Sequence, residues 1–275
     1  DCYPTQDLYL AAFKDFVKRL RPQGILVVDG DHPRSASLVQ SLPAAARGFT
    51  YGFLDSVDYR AFDLKTNDLG GMSFTIASKT SPSPIAEVRL QVPGEHNVRN
   101  ALGVLALVHR LGFSVPRASA ALSEFTGTGR RFDIIGESSG VTVISDYAHH
   151  PTKIAATLSA ARQRSPGRRL VAVWQPHTYS RTRTLERDFI DSLDQAHLAV
   201  VTDIYASREK PEDYSSRQLV DKITSTEAKY IPTLNGVVDF LASELRSGDV
   251  LIVLSAGDAD RICPAILKRL NERKG

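Results

Sequence analysis

One join recurs in the second half of the chain and limits what it can fold into. An apolar strand runs into a polar loop, and the loop opens a helix. Residues 141–145 lead into Asp146-Tyr147-Ala148-His149-His150-Pro151. Leu170–Trp174 leads into Gln175-Pro176-His177-Thr178-Tyr179-Ser180-Arg181-Thr182-Arg183. Leu198–Val201 leads into Thr202-Asp203, and Val250–Leu254 into Ser255-Ala256-Gly257-Asp258. Near-continuous apolar strands alternating with helices predict a parallel, doubly wound sheet covered on both faces. In such sheets ligands bind beyond the carboxyl ends of the strands. One rim is therefore expected to gather Asp146, His149, His150, His177, Arg181, Asp203 and Asp258. That composition suits an anionic substrate.

The length of 275 residues allows one large or two ordinary domains. Residues 6–20 read as an amphipathic helix with Leu8, Ala12, Phe13, Phe16, Val17 and Leu20 on one stripe. A buried strand follows at 25–29. Short strands between Phe49 and Val92, broken by Gly70-Gly71 and Ser81-Pro82-Ser83-Pro84, read as antiparallel. Helices are expected at 96–111 and 116–125, then a linker at Gly127-Thr128-Gly129. Beyond it, helices are expected at 152–163, 183–193, 215–223, 234–245 and 259–270. The fold class is thus α/β, with a Rossmann-like, mostly parallel sheet in 129–275.

Several function classes recede. The net charge is only +3 and no long basic run exists, so nucleic acid is not an expected partner. No apolar stretch approaches the ~20 residues a membrane span needs. Cys2 and Cys263 are far apart and fit no metal spacing, which suits a reducing cytosol. The G-x-G-x-x-G signature is absent, so the topology need not mean a dinucleotide. The opening Asp1-Cys2-Tyr3-Pro4 has no initiator Met and no signal pattern, as expected of a processed chain or part of a longer one.

Each constellation admits a chemical and a structural reading. In Gly94-Glu95-His96-Asn97-Val98-Arg99-Asn100, helical spacing puts His96, Asn97 and Asn100 on one face. A side-chain amide offers a donor beside an acceptor, which matches an adenine edge. Alternatively Asn97 caps the helix and Asn100 is polar surface. In Asp146-x-x-His149-His150-Pro151, Pro151 starts a helix whose N-terminus favours anions. A carboxylate at the strand end can hold ribose hydroxyls or a metal. Alternatively Asp146 is cap-like and both histidines are solvated; adjacent histidines point apart, so at most one faces a ligand. In His177-x-x-x-Arg181-x-Arg183, arginines at a helix entry oppose the macrodipole, a cost that an anionic ligand would offset. The alternative is a surface cluster. Arg130-Arg131 is either solvated or reaches a phosphate bidentately. Arg168-Arg169 and Lys268-Arg269 read as solvated faces, and Cys263 and Met72 as core.

Taken in order, these motifs resemble the Mur ligases, ATP-dependent amide-forming enzymes of peptidoglycan precursor synthesis. Gly94-Glu95-His96-Asn97-Val98-Arg99-Asn100-Ala101 is similar to that family's adenine-binding helix start. Gly129-Arg130-Arg131-Phe132 resembles the entry to its C-terminal domain. The segments from Asp146 to Thr152 and from Gln175 to Arg183 resemble those of its alanine-adding branch, and Ser255-Ala256-Gly257-Asp258 its last rim loop. The resemblance spans nearly the whole chain. It implies that His96, Asn97 and Asn100 contact adenine, and that Arg131 and Asp146 contact phosphate and ribose. It implies that Tyr147, His149, His177 and Arg181 surround L-alanine and an acyl phosphate. Some members carry a second Arg where this chain has Thr178, which leaves the carboxylate clamp to Arg181.

The family's P-loop, G-x-x-x-x-G-K-[ST], is absent from these residues. The resemblance therefore implies that 1–128 is the second part of an α/β ATP-binding central domain and 129–275 the C-terminal ligase domain. It places the Mg²⁺ ligands upstream and assigns no metal ligand here. The implied whole protein is cytoplasmic. It activates the lactyl carboxylate of UDP-N-acetylmuramate with ATP, and L-alanine's amine attacks the acyl phosphate. The chain alone is expected to be inactive. Three rivals stand beside this reading: a sister ligase that reattaches a recycled peptide, a nucleotide-binding module without chemistry, and a metal-dependent phosphohydrolase. The last would use Asp146, His149, His150, His177 and Asp203.

Overall fold

The computed structural model describes residues 3–81 and 83–273. Asp1, Cys2 and Pro82, invoked above, lie outside the described residues. The chain divides into two compact units, one up to Thr126 and one from Gly127 onward.

The first unit opens with α1 (Gln6–Val17), whose first turn is capped by the Thr5 hydroxyl oxygen accepting from the Leu8 amide at 3.2 Å. The stripe expected to be core is a correction. Leu8, Phe13 and Phe16 are exposed, Phe16 by 72%. The buried side runs through Leu10, Val17 and Leu20, which pack on Val28 and Leu38. The helix is therefore rotated from the expected orientation.

There follow β1 (Ile25–Asp29), α2 (Pro33–Ser37), β2 (Arg47–Gly52), β3 (Tyr59–Thr66), β4 (Met72–Ser78), β5 (Ala86–Arg89), α3 (Glu95–Arg110) and α4 (Val115–Ser123). The strands form one sheet in chain order. The antiparallel expectation holds for β3, β4 and β5, but β2 runs parallel to β1 and briefly to β3. The crossover through α2 returns the chain in the same direction, which parallel pairing requires. Tyr59, Phe74 and Ile76 of the sheet pack with Leu102 and Leu105 of α3.

The second unit contains β6 (Asp133–Ser138), β7 (Val141–Asp146), α5 (Pro151–Arg164), β8 (Leu170–Trp174), α6 (Tyr179–Thr184), α7 (Glu186–Ser192), β9 (Leu198–Val201), α8 (Arg217–Val220), β10 (Glu227–Tyr230), α9 (Leu234–Glu244), β11 (Val250–Leu254) and α10 (Ile262–Glu272). Its sheet order is β10-β9-β8-β11-β7-β6, parallel except for β6. The α/β class and the mostly parallel C-terminal sheet are as expected. Alternate residues of β8 enter two separate cores: Leu170, Ala172 and Trp174 face one, Val171 and Val173 the other. Cys263 and Met72 are buried, as read from the sequence.

Edges and helix limits differ. β6 and β10 were not anticipated, because Asp-Ile-Ile-Gly-Glu-Ser and Glu-Ala-Lys-Tyr lack an apolar run. The helix expected at 183–193 is two, α6 and α7, joined at Leu185 (φ −110°, ψ 23°). Arg181 is the third of the six residues of α6 and so belongs to its first turn as well as its last, whereas Arg183 lies near its carboxyl end. A helix of six residues has only a small macrodipole, so the dipole alone does not call for an anion at Arg181. The helix at 215–223 contracts to α8, and that at 259–270 begins with a 3-10 turn, Ala259–Arg261. Arg168 and Arg169 are also corrected. Arg168 donates to the carbonyls of Gly248, Gly140 and Asp249 and to the Thr142 hydroxyl, and Arg169 pairs with Glu244 and Asp249. They tie together the loops at the amino ends of the strands. Among the described residues no helix is long and apolar enough to cross a membrane.

Candidate active site

β11 lies between β7 and β8, so the loops after β7 and β8 leave from either side of it. Such a change of winding direction is where open α/β sheets bind ligands. The loop after β7 carries His149, and the loop after β8 carries His177. Their rings lie 6.1 Å apart, tilted by 57°. The Nδ1 of His149 is 2.8 Å from the Tyr147 carbonyl oxygen. A carbonyl only accepts, so Nδ1 holds the proton and Nε2 keeps its lone pair. Tyr147 packs edge-on to His149 at 5.2 Å. His177 stacks on Tyr205 at 5.7 Å, and its buried Nδ1 has no hydrogen-bond partner among the described residues.

Burial lowers the pKa of His149, His150 and His177 below the ordinary 6.5, and the positive charge of Arg181 lowers each further. The three imidazoles are thus held neutral around one guanidinium. His150 is the residue before α5 and is exposed, whereas His149 is half-buried.

The Asp146 carboxylate accepts from the amides of Phe132 and Ala148, both at 2.8 Å, which fixes the start of the loop. It does not cap α5; His150 occupies that position. Arg131 is exposed. Its neighbour Arg130 is the inward residue, donating to the carbonyls of Ser255 (2.8 Å) and Gly257 (3.1 Å) and lying 5.0 Å over the Tyr147 ring. Asp258 accepts from the Gln175 side chain at 2.9 Å, and the Tyr230 hydroxyl donates to Asp203. Neither carboxylate is drawn into the histidine pair.

The sequence reading assigned no role to three residues that build this rim. Gln175 is 5% exposed, and its Oε1 accepts from Ser255 Oγ and from the amides of Asp258 and Ala259. Tyr205 and Glu209 come from the loop between β9 and α8 and bond the segment after β8. Gln175 was visible as a polar residue directly after an apolar strand. Nothing in the loop's pattern marked Tyr205 or Glu209.

In the first unit, Gly94 (φ +92°) precedes α3, which makes Asn97 the third helical residue. Its side-chain Nδ2 donates to the Pro93 carbonyl at 2.8 Å, so Asn97 is not an accepting cap. His96 is half-buried and Asn100 exposed. Arg99 binds Asp29 and Asp31 (3.1 and 2.7 Å) and lies 4.0 Å over Phe53. Burial alone would raise the Asp31 carboxyl, but amide hydrogen bonds from Phe53 and Leu54 and the Arg99 charge outweigh it and lower its pKa.

Among the described residues no three His, Cys, Asp or Glu side chains converge as a metal would need. The metal-dependent phosphohydrolase reading therefore has no support in this geometry. Comparison with known proteins shows the family. The Mur ligase middle domain profile matches residues 1–108, and the Mur ligase glutamate ligase domain profile matches 130–257. The chain belongs to the Mur ligase family.

Among curated Mur ligases, the UDP-N-acetylmuramate–L-alanine ligase of Desulforamulus reducens is 36% identical over 99% of this chain and 59% of its own length. That of Kineococcus radiotolerans is 38% identical over 99% of this chain and 58% of its own. The chain thus spans somewhat over half the length of these relatives. The fold matches the crystal structure of the UDP-N-acetylmuramate–alanine ligase from Thermotoga maritima, with TM-score 0.77, 24% identity and coverage of 98% of this chain and 56% of that one. A second Mur ligase from the same organism, solved with ADP, has TM-score 0.76 at 17% identity, covering 99% of this chain and 60% of that one.

Proposed function

We propose that this chain is the middle and C-terminal part of an ATP-dependent ligase that joins L-alanine to UDP-N-acetylmuramate in peptidoglycan precursor synthesis. In this reading residues 1–128 belong to the ATP-binding central domain, and 129–275 form the ligase domain. The relatives named above act as support, since their names carry that activity and their similarity runs along almost the whole chain. The observation that carries the chemistry is His149, whose Nδ1 bonds the Tyr147 carbonyl and so leaves Nε2 as the accepting nitrogen, beside His177 and the Arg181 charge.

ATP, when bound, supplies the phosphoryl group that makes the lactyl carboxylate an acyl phosphate. The start of α3 fits adenine by its donor set, because exposed Asn100 shares a helix face with half-buried His96. Arg131 and Asp146 are assigned to phosphate and ribose. Mg²⁺ is usually held by one or two carboxylates together with substrate phosphates, and its protein ligands are assigned upstream of these residues. Arg181 binds the carboxylate of L-alanine, for which a guanidinium is suited. His149 takes a proton from the ammonium at Nε2, freeing the amine to attack the acyl carbon. As the amide C–N bond forms, the C–O bond to phosphate breaks, and phosphate leaves with its electron pair and takes up the proton that the amide nitrogen sheds. His177 and Arg181 stabilise the developing negative charge, and Tyr147 packs His149 in place. The reading places the whole protein in the cytoplasm, and the 275 residues alone do not turn over, having no P-loop.

The test is amino-acid-dependent phosphate release by the whole protein with ATP, Mg²⁺ and UDP-N-acetylmuramate. L-Alanine is expected to give release and an amide product by mass spectrometry. Release only with a peptide substrate would instead assign the peptide-reattaching sister activity.

A further inference from the structure

The segment that carries His177 and Arg181 is held from outside. Thr178 has φ +70° and ψ 140°, a region that a β-branched residue enters only under strain. Its hydroxyl is buried and has no partner among the described residues, so its own side chain does not fix this geometry. The restraint comes from the loop between β9 and α8. Tyr205 donates its amide to the Pro176 carbonyl (2.8 Å) and accepts from the Thr178 amide (2.9 Å). Glu209 completes the grip. Its carboxylate accepts from the amides of Tyr179 and Ser180, the latter at 3.1 Å, and from the Ser180 hydroxyl.

We propose that Glu209 is a positioning residue that locks residues 177–181, so that His177 and Arg181 keep the arrangement used on the amino-acid substrate. The proposal rests on the reading of Arg181 as the site of that substrate's carboxylate. An ionised carboxylate accepting several donors makes strong, charge-assisted hydrogen bonds. Burial alone would raise the Glu209 carboxyl. The Ser180 hydroxyl and amide, the Tyr179 amide and the Arg181 charge outweigh burial and lower its pKa, so the accepting form is the stable one at neutral pH. Glu209 and Arg181 therefore sense each other's charge while Glu209 holds the backbone that carries Arg181.

Two measurements test this. Hydrogen exchange on the whole protein reads the contact directly. Glu209→Ala is expected to speed exchange of the Tyr179 and Ser180 amides by about tenfold or more, with the β8 amides unchanged. Steady-state kinetics on the whole protein read the purpose. Glu209→Ala is expected to raise the L-alanine KM about tenfold while the ATP KM stays within about twofold, and Glu209→Gln, which keeps an accepting oxygen, to recover most of the loss. Unchanged exchange, or ATP and L-alanine KM rising in the same proportion, would overturn the proposal. If exchange changes as expected but wild type shows no L-alanine-dependent turnover, the functional reading falls, and with it the purpose given to Glu209.

Discussion

His149 and His177 follow two strands that do not pair, yet their rings lie 6.1 Å apart across the end of β11. Each is held neutral by burial and by the Arg181 charge. The consequence for folding has a definite sign. The unfolded chain takes up these protons at the ordinary 6.5, above the folded values, so it binds more protons as pH falls. The stabilising contribution is complete above that pH and is lost as pH falls through the lower folded values. His150 and His197 act in the same direction. The urea midpoint of the second unit is expected to drop from about pH 7.5 to about pH 5.5, and His149→Gln with His177→Gln to flatten the drop. A midpoint that rises on acidification would contradict the protonation states assigned here.

Gly257 is fixed by crowding. A Cβ there would lie 2.5 Å from Gln175 Oε1 and 2.7 Å from the Tyr205 ring. Gln175 has no slack, because its Oε1 already accepts from Ser255, Asp258 and Ala259. Gly257→Ala is expected to cost about 1–3 kcal/mol of stability. Thermal unfolding of the purified variant measures it, and an unchanged Tm would mean that the last rim loop is not packed as described.

The central sheet was legible because its strands are apolar on both faces, a pattern that only burial between helix layers explains. β6 and β10 were not, since edge strands need no such pattern: Ile134 and Ile135 are exposed, and β10 carries two charges among four residues. The histidines and Arg181 were legible as polar residues in the segments that follow apolar strands. The helix dipole says little about Arg181, because α6 breaks at Leu185 after six residues and Arg181 belongs to its first and its last turn alike. Glu209 was illegible because its partners lie some thirty residues away and two of them are the backbone amides of Tyr179 and Ser180, which have no sequence signature. Likewise α1 has a regular apolar stripe, but periodicity does not say which side meets a neighbour.

Asn100 is exposed on the face of α3 assigned to adenine. In the whole protein, Asn100→Ala is expected to raise the ATP KM about tenfold or more, as loss of a hydrogen-bonding partner worth about 1–3 kcal/mol would, with the L-alanine KM nearly unchanged. An unaltered ATP KM would remove Asn100 from the adenine site.

The most direct measurement of the central claim, that the rim around His149, His177 and Arg181 takes the amino acid, is a pair of variants in the whole protein. The assay is run at saturating ATP and UDP-N-acetylmuramate. Arg181→Ala is expected to raise the L-alanine KM by about tenfold to a hundredfold, because a charge-assisted contact to the carboxylate is lost. His149→Ala is expected mainly to lower kcat, by about a hundredfold, because the proton acceptor at Nε2 is gone. If Arg181→Ala instead weakened ATP and left the L-alanine KM unchanged, Arg181 would serve the phosphates and the assignment of this rim would be wrong.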